Sequence, residues 1–433
     1  MSNTVFDVLL FVSVKPMAET HTQRAHARLA PSSAHRWMVC PGSIRMQEGL
    51  PDSRSTFAAE GTAAHELAAK CLETNTDPAV FAGQYVDILT SAIVETPEDT
   101  DEEDRFFEIT EEMVDAVSMY KTHIDELLAS DDKTGLSVEQ RLDMTHIHPE
   151  IYGTGDAAVY CFGSKHLHIV DLKYGKGVAV DADNNPQLLL YTAGTARRYH
   201  NMQIEKLTMH IVQPRAQHAH GPVRSYEIDL LELFEFENEL AVKAQATMAQ
   251  DAPVVAGEHC QFCKAQPICE ANRKLALEAV SADFGTVDDE TTLPAIDAVT
   301  PDQMGRILRE ADMVLSRVKA VQELAHKMAM DGNTPAGFKL VAKRANRKWI
   351  DETLAKEAMQ VNGVDEADMY EEPKFRSPAK MERYFPGKNS KERQAVMAEL
   401  IEKKSSGTNL VPSDDPRPAV HVGPGADFEG IEL

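Results

Sequence analysis

The feature that most constrains the fold is an acid and a lysine two residues apart within an apolar, β-branched run. The composition of residues 167–174 predicts a buried strand, so Asp171 and Lys173 point to the same face. A carboxylate and an ammonium on a buried strand are costly unless they serve each other or a ligand. The chain must therefore place these two groups where they are paired or bound.

A second acid, Asp156, opens the preceding apolar run, which predicts a partner strand over residues 156–162 and a turn near Gly163. If the connection has two or four residues, Asp156 shares the face of Asp171 and Lys173, whereas a three-residue connection puts it on the opposite face. The site therefore requires an even register or a bulge. Two carboxylates beside a lysine suit a divalent cation that neutralises a phosphodiester and activates water.

A helix is predicted directly after these strands, from the Asn185 cap and Pro186 to about Arg198. Gln187 and Tyr191 lie four residues apart on one helical face, and Arg198 lies further along on roughly that side. Such side chains suit contacts to a nucleic-acid backbone. Alone, an Asp-x-Lys pair is typical of a surface ion pair, so the interpretation depends on the order and spacing of all the pieces.

Four of the six cysteines form a second pattern. Cys260, Cys263 and Cys269 follow a C-x2-C-x5-C spacing, and Cys40, far upstream, is the candidate fourth ligand. We predict no signal peptide and expect a cytoplasmic protein, where spaced cysteines more often bind metal than form disulfides. Four thiolates suit either zinc or an iron–sulfur cluster, with His259 as an alternative zinc ligand. Reduced, unliganded cysteines are the remaining interpretation.

In this order and spacing, the motifs resemble those of the PD-(D/E)xK nuclease superfamily in its RecB-like branch. More closely, they resemble a phage- and prophage-associated family of RecB-like exonucleases, over about residues 30–350. The resemblance implies an α/β, restriction-endonuclease-like core with a mixed central sheet flanked by helices, plus a helical/β C-terminal extension. It also implies a metal-dependent DNA exonuclease that acts in phage DNA recombination, repair or processing.

The resemblance assigns roles to residues of this chain. It implies that Asp156 and Asp171 bind Mg²⁺ or Mn²⁺, that the Leu172 backbone carbonyl completes the coordination, and that Lys173 assists the attacking water. His65, which follows a glycine in a predicted helix, would be a further metal ligand. Imidazole suits Mn²⁺ better than Mg²⁺.

The same resemblance implies that Gln187 and Tyr191 hold the DNA strand, with Arg198 as a further DNA contact. It favours a [4Fe–4S] cluster over zinc, because related nucleases hold such a cluster with one early and three late cysteines. The cluster would pin the two ends of the domain together, with ligands Cys40, Cys260, Cys263 and Cys269.

Two other functions stay open: a catalytically inactive nuclease-fold subunit for DNA binding or assembly, and a zinc-stabilised protein-interaction module. We expect DNA as the partner, together with a phage single-strand annealing or DNA-binding protein. No membrane association is expected, because no apolar run reaches the length of a membrane span. The expected compartment is the cytoplasm of a bacterium or a phage-infected host. The sequence leaves polarity, end preference, strandedness and oligomeric state open.

The net charge is the main argument against a nucleic-acid partner. Lys and Arg number 44 and Asp and Glu 69, which gives −25, whereas nucleic-acid binders are usually basic. Eleven of the acids fall in residues 95–115, which we expect to form a solvated loop and helix face. Four regions are predicted: a leader (1–29), the nuclease domain with the cysteine cluster (30–285), an accessory region with a long helix, a strand and further helices (286–402), and a disordered tail (403–433).

Overall fold

The structure is a computed structural model that describes residues 7–10, 27–50, 56–97, 105–284 and 301–340. The described residues up to Val321 belong to one compact unit, and Gln322 begins a second one. The predicted tail and most of the accessory region and the leader lie outside the described residues.

In the part of the chain that the structure describes, nine strands form two sheets. They are β1 (Asp7–Leu10), β2 (Tyr85–Asp87), β3 (Ala92–Val94), β4 (Phe106–Glu108), β5 (Lys133–Asp143), β6 (Tyr152–Cys161), β7 (His166–Leu172), β8 (Lys206–Val212) and β9 (Val223–Ile228). Strands β5 to β9 lie in chain order in the main sheet, and the short β1 pairs in parallel with β5 and forms that edge of the sheet. The β7–β8 pair is parallel and the other pairs from β5 to β9 are antiparallel, so the sheet is mixed as predicted. The small sheet has the order β3-β2-β4.

The register of β6 and β7 brings the two predicted acids together. Cys161 pairs with His166, which leaves four residues in the connection. The ladder runs back to Ala157 opposite Val170, and its continuation places Asp156 opposite Asp171. The structure therefore has one of the even registers that a shared site requires.

Eight α-helices accompany the sheets in the described part of the chain. They are α1 (Ala34–Trp37), α2 (Ser43–Gln47), α3 (Thr56–Thr74), α4 (Glu111–Leu128), α5 (Pro186–Arg198), α6 (Leu230–Ala246), α7 (Glu270–Phe284) and α8 (Pro301–Met330). The Asn185 side chain accepts the N–H groups of Gln187 and Leu188, and Pro186 occupies the first turn, which fixes the start of α5. Helix α5 provides the crossover that the parallel β7–β8 pair needs.

Two apolar cores cover the two faces of the main sheet. One packs α5 against side chains such as Ile169 of β7 and Met209 of β8. The other packs α3 and α4 against Val170 and Leu172 of β7. Because neighbouring residues of β7 face opposite cores, most of its buried positions are apolar, as its sequence predicted. His168 and Asp171 are its buried polar residues.

The C-terminal part of the description agrees with the prediction only in its long helix, α8. A strand was expected over residues 337–344, but residues 337–340 have no strand conformation, and the remainder lies outside the described residues. Within the acidic segment, the described part contains β4 and the start of α4, while residues 98–104 are not described. Within the described residues, no helix has the length and apolar character needed to cross a membrane.

Candidate functional site

Three side chains from three elements converge at one end of the main sheet. His65 lies on α3, Glu139 on β5 and Asp156 on β6. One ligand atom of each lies within 4.8 Å of the other two, the one such group of three among the described residues. An imidazole and two carboxylates form a donor set for a divalent cation such as Mn²⁺ or Mg²⁺. Two of the three, His65 and Asp156, were predicted as metal ligands.

The His65 and Asp156 side chains form an ion pair. Nδ1 of His65 lies 3.3 Å from Oδ2 of Asp156. Burial opposes a charge on the imidazole, but Asp156, Glu139 and Asp171 outweigh it and raise the pKa of His65 to about 9. Burial likewise opposes charge on Asp156, but His65 and Lys173 outweigh it and lower the pKa of that carboxyl. The Asp156 carboxylate is therefore held in its ionised form by His65 and Lys173.

Glu139 was not predicted as a site residue. It lies opposite Asp156 in the β5–β6 register, but the ladder skips it, and its φ is +46° within a strand. This left-handed conformation is uncommon for a side chain larger than glycine and costs of order 1–3 kcal/mol. No spacing motif marks a single glutamate on a strand, so the sequence carried no signal for it. The strain is consistent with a carboxylate held in place for a ligand.

Asp171 and Lys173 are held together beside this group. Nζ of Lys173 lies 2.9 Å from Oδ2 of Asp171 and donates a 2.9 Å hydrogen bond to Oε1 of Gln187. Nε2 of Gln187 in turn donates to Oδ1 of Asp171 at 3.2 Å. Asp171 is 1% exposed. Burial, opposed by Lys173 and reinforced by Asp156, raises the pKa of Asp171 to about 6.

The Asp171 carboxylate also has capacity for a further ligand. Its Oδ2 is buried and lies 2.9 Å from Nζ of Lys173. A carboxylate oxygen has two lone pairs, so Oδ2 can face a bound cation as well as the ammonium. Asp171 is nevertheless not in the three-residue group, so the structure places it beside His65, Glu139 and Asp156 rather than among them.

The neighbouring residues of the motif orient the site. The N–H of Leu172 donates to Oδ2 of Asp156 at 2.8 Å, while a metal-binding role for the Leu172 carbonyl stays a prediction. The Tyr191 hydroxyl accepts from Nε2 of Gln187 at 3.0 Å, and its ring is buried. A Cβ on Gly155 would lie 3.3 Å from Leu142, so the Gly-Asp pair keeps this strand close to its neighbours. Gln187 and Tyr191 thus hold the ionic groups, and their contact with DNA stays a prediction.

Arg198 lies apart from this cluster. It is exposed at the last turn of α5, about 16 Å along the helix from Gln187. Its guanidinium faces the side-chain oxygen of Gln140 in the amide orientation that satisfies both groups. The structure therefore does not bring Arg198 together with the other predicted residues.

The four predicted cysteines line a single pocket. Cys40 comes from the loop after α1, and the others come from the turns between α6 and α7. Backbone N–H groups point at two sulfurs: Val255 donates to Cys40 Sγ at 3.3 Å and Gly257 to Cys260 Sγ at 3.4 Å. Burial raises the pKa of the Cys260 thiol. The predicted pairing of one early with three late cysteines is thus present in space.

The loop that carries Cys40 fits closely against the late segment. The N–H of Gly42 donates to the Pro253 carbonyl at 2.9 Å, and a Cβ on Gly42 would lie only 2.6 Å from Val254. His259, the alternative zinc ligand, also lines the pocket, but its Nε2 lies 2.9 Å from the Val255 carbonyl. One imidazole nitrogen of His259 is therefore already engaged with the backbone.

The arrangement can be compared with known families. The model of the family described as "Protein of unknown function (DUF2800)" matches residues 26–418, about nine-tenths of the chain. The match includes the acidic site, the cysteine pocket and the long helix α8.

Proposed function

The chain belongs to the DUF2800 family, and on that premise we propose that it is a divalent-metal-dependent DNA exonuclease of the PD-(D/E)xK, RecB-like type. The observation that carries the proposal is the convergence of His65, Glu139 and Asp156 on one point, beside the Asp171–Lys173 pair. A DNA-binding subunit without catalysis has no need for this set, since buried charges cost stability.

The residues present fit a Mn²⁺ or Mg²⁺ ion. His65, Glu139 and Asp156 would hold it, with Asp171 beside them. Bound there, the ion would neutralise the scissile phosphate and lower the pKa of water. The strained backbone of Glu139 and the buried carboxylate of Asp171 support a ligand at this place.

Lys173 has the geometry of a residue that orients a reactant. Its ammonium has three N–H groups, and Asp171 and Gln187 engage two of them. The third can donate to the attacking water or to an oxygen of the phosphate, where it would stabilise the charge that develops in the transition state. Tyr191 keeps Gln187 in place through its hydroxyl. Hydrolysis breaks one P–O bond of the strand and forms another to the oxygen of water.

The test is degradation of end-labelled linear DNA with Mg²⁺ or Mn²⁺, comparing wild type with Lys173→Ala. Metal-dependent loss of label by wild type alone is the expected result. Wild type purified without air, with its cysteine pocket occupied, is used for this test. If it binds DNA but releases no label with either metal, the nuclease proposal is wrong and the DNA-binding subunit takes its place.

For the cysteine pocket we propose a [4Fe–4S] cluster. The pocket brings together one early and three late cysteines, the order in which the nucleases that this chain resembles hold such a cluster. The cluster would tie the Cys40 loop to the turns at Cys260, Cys263 and Cys269. Iron and sulfide analysis of protein purified without air tests this, and stoichiometric zinc without iron would contradict it.

A further inference from the structure

Two segments wrap the cysteine pocket, residues 35–47 and 259–269, and we call them the cationic collar. We propose that the cationic collar binds single-stranded DNA, with the Phe262 ring as a stacking platform for a base. The proposal rests on the nuclease function and names its substrate class, a single strand that runs from the cysteine pocket to the acidic site.

The charge of the cationic collar is opposite to that of the whole chain. Neither segment contains an aspartate or glutamate, although the chain carries a net charge of −25. The cationic collar holds three permanent cations and two histidines: Arg36, Arg45, Lys264, His35 and His259. A phosphate backbone is attracted to such a local field even when the far field is negative.

Three acids flank the cationic collar in sequence. Glu48 pairs with Arg28, and Glu270 pairs with Arg273, so each has its own counter-ion. Glu258 precedes His259 and is exposed. Of the three flanking acids, Glu258 is the one set against the permanent cations of the cationic collar.

Exposed apolar side chains lie among these cations. Phe262 is 62% exposed on the turn between two cysteines, and Val39 and Ile268 are also about half exposed. The turn is fixed, because Cys263 N–H donates to the Cys260 carbonyl at 3.0 Å and Arg36 donates to the Phe262 carbonyl at 3.1 Å. An exposed aromatic ring on a rigid turn between cations is the arrangement on which unpaired bases stack.

The cationic collar continues toward the acidic site. Helix α1 contacts both α5, which carries Gln187, and the turn Glu258–Cys260. His35 lies on α1, and burial first, then Arg36 and His259, lower the pKa of its imidazole, which disfavours a positive charge there. The link between the cationic collar and the acidic site is therefore α1 itself, and a strand bound along it would run between the Phe262 ring and Lys173.

Single-stranded DNA fits these features better than duplex does. In a duplex the bases stack on each other, so an aromatic side chain reaches a base face only by paying for unstacking. In a single strand every base offers a free face while the phosphates remain available to the cations.

The test is DNA binding by the full-length protein, purified without air so that its cysteine pocket is occupied. The buffer contains no free divalent metal, so that no cleavage occurs. Anisotropy of a labelled oligothymidylate is expected to show about 10- to 100-fold weaker binding for Phe262→Ala. Phe57→Ala removes another exposed ring, on α3 and 84% exposed, and serves as the matched control with unchanged binding. Binding of a blunt hairpin duplex should not change in either variant.

A second variant guards against a folding artefact. Phe262→Trp should keep the affinity, and quenching of its fluorescence by oligothymidylate would report stacking at that position. Iron content and thermal unfolding of Phe262→Ala should match wild type. Equal binding by wild type and Phe262→Ala, or equal losses in Phe262→Ala and Phe57→Ala, overturns the proposal and leaves Phe262 as a protein-contact surface. If wild type binds the single strand but never cleaves DNA, the nuclease proposal is wrong and the single-strand-binding proposal stands.

Discussion

Two polar clusters share strand β7 but solve the problem of burial in opposite ways. At its C-terminal end, Asp171 and the following Lys173 are charged and lie within 2.9 Å of each other. Further toward its N-terminus, His168 belongs to a chain of imidazoles that continues through His210 of β8 to His123 of α4. The first cluster is ionic and surrounded by further charges, whereas the second is neutral.

The three imidazoles of the histidine chain hydrogen-bond to one another. Nε2 of His123 lies 3.1 Å from Nδ1 of His210, and Nε2 of His210 lies 3.0 Å from Nδ1 of His168. Burial, and then the neighbouring histidines, lower the pKa of His168 to about 3 and that of His210 to about 2. A neutral imidazole has one donor and one acceptor, so a run of them needs no counter-ion.

The contrast indicates which cluster serves a ligand. A neutral chain of hydrogen bonds costs little in the interior, whereas two carboxylates, a further acid and a lysine at one place cost stability. The sheet can therefore bury neutral polar groups at little cost in free energy, whereas the charged groups of the acidic site are costly to bury. That cost, together with the strained backbone of Glu139, is what a binding site for a cation would require.

The largest expected effect concerns catalysis. Asp156→Asn should lower the rate of DNA degradation by about 10²–10³-fold, because a ligand charge is lost where phosphate charge is neutralised. His210→Asn changes the neutral cluster and should stay within a few-fold of wild type. Initial rates on end-labelled DNA at saturating Mn²⁺ measure both. Equal losses in the two variants would remove the distinction between the clusters.

The next effect is acid sensitivity from the neutral cluster. The unfolded chain takes up protons below the ordinary histidine pKa of 6.5, while native His168 and His210 stay neutral until far lower pH. Stability should therefore fall with acidification, by on the order of 2–4 kcal/mol between about pH 7 and pH 5 for the two groups together. The double variant His168→Asn, His210→Asn should lack this part of the loss.

Urea unfolding at the two pH values measures the free energy of unfolding of both proteins. As an independent check, the imidazole C–H resonances of His168 and His210 should not shift across this range in the native protein. Resonances that titrate near pH 6.5 would show that burial does not keep these histidines neutral.

A smaller effect is expected from removing one buried charge. Asp171→Asn should raise the free energy of unfolding of the metal-free protein by on the order of 1–3 kcal/mol at neutral pH, because an ionised carboxylate at 1% exposure is costly. Lys173, whose side chain is 25% exposed, can then be solvated. The same variant should lose nuclease activity. If Asp171→Asn instead unfolds at a lower urea concentration, the Asp171–Lys173 ion pair stabilises the fold.

The smallest effect isolates the backbone of Glu139. Glu139→Gly should be more stable than Glu139→Ala by about 1 kcal/mol, because only glycine relieves a φ of +46°. Both variants lack the carboxylate, so the difference reports strain alone. Urea midpoints with unchanged slopes would measure it. Glycine no more stable than alanine would indicate that position 139 carries no strain.

Local pattern was sufficient for the elements around the site. The apolar runs predicted β6 and β7, and the Asn-Pro pair predicted the start of α5. The Asp-x-Lys spacing showed that a shared site requires an even register, and the structure decided which one, with Asp156 opposite Asp171. These features depend on neighbours in sequence, where the period of a strand or helix fixes which side chains share a face.

Two features that depend on long-range pairing were not predicted. Glu139 reaches the site through the β5–β6 ladder and an unusual φ, neither of which leaves a sequence signal. The histidine chain requires the parallel pairing of β7 with β8, which α5 connects. It also requires His123, which lies on α4. Arg198 shares a helix with Gln187 but not its surroundings, because helical spacing does not state how far a binding site extends.

The sequence by itself determined the kind of chemistry this protein carries: carboxylates, a lysine and cysteines at spacings that suit cations. Tertiary structure decided which of them meet. It added Glu139 to His65 and Asp156, placed Asp171 beside that group, and put the cysteine pocket next to helix α1. The physical reason is that side-chain periodicity is local, whereas a ligand site requires atoms within a few ångströms that the chain brings together only by packing its sheet and helices.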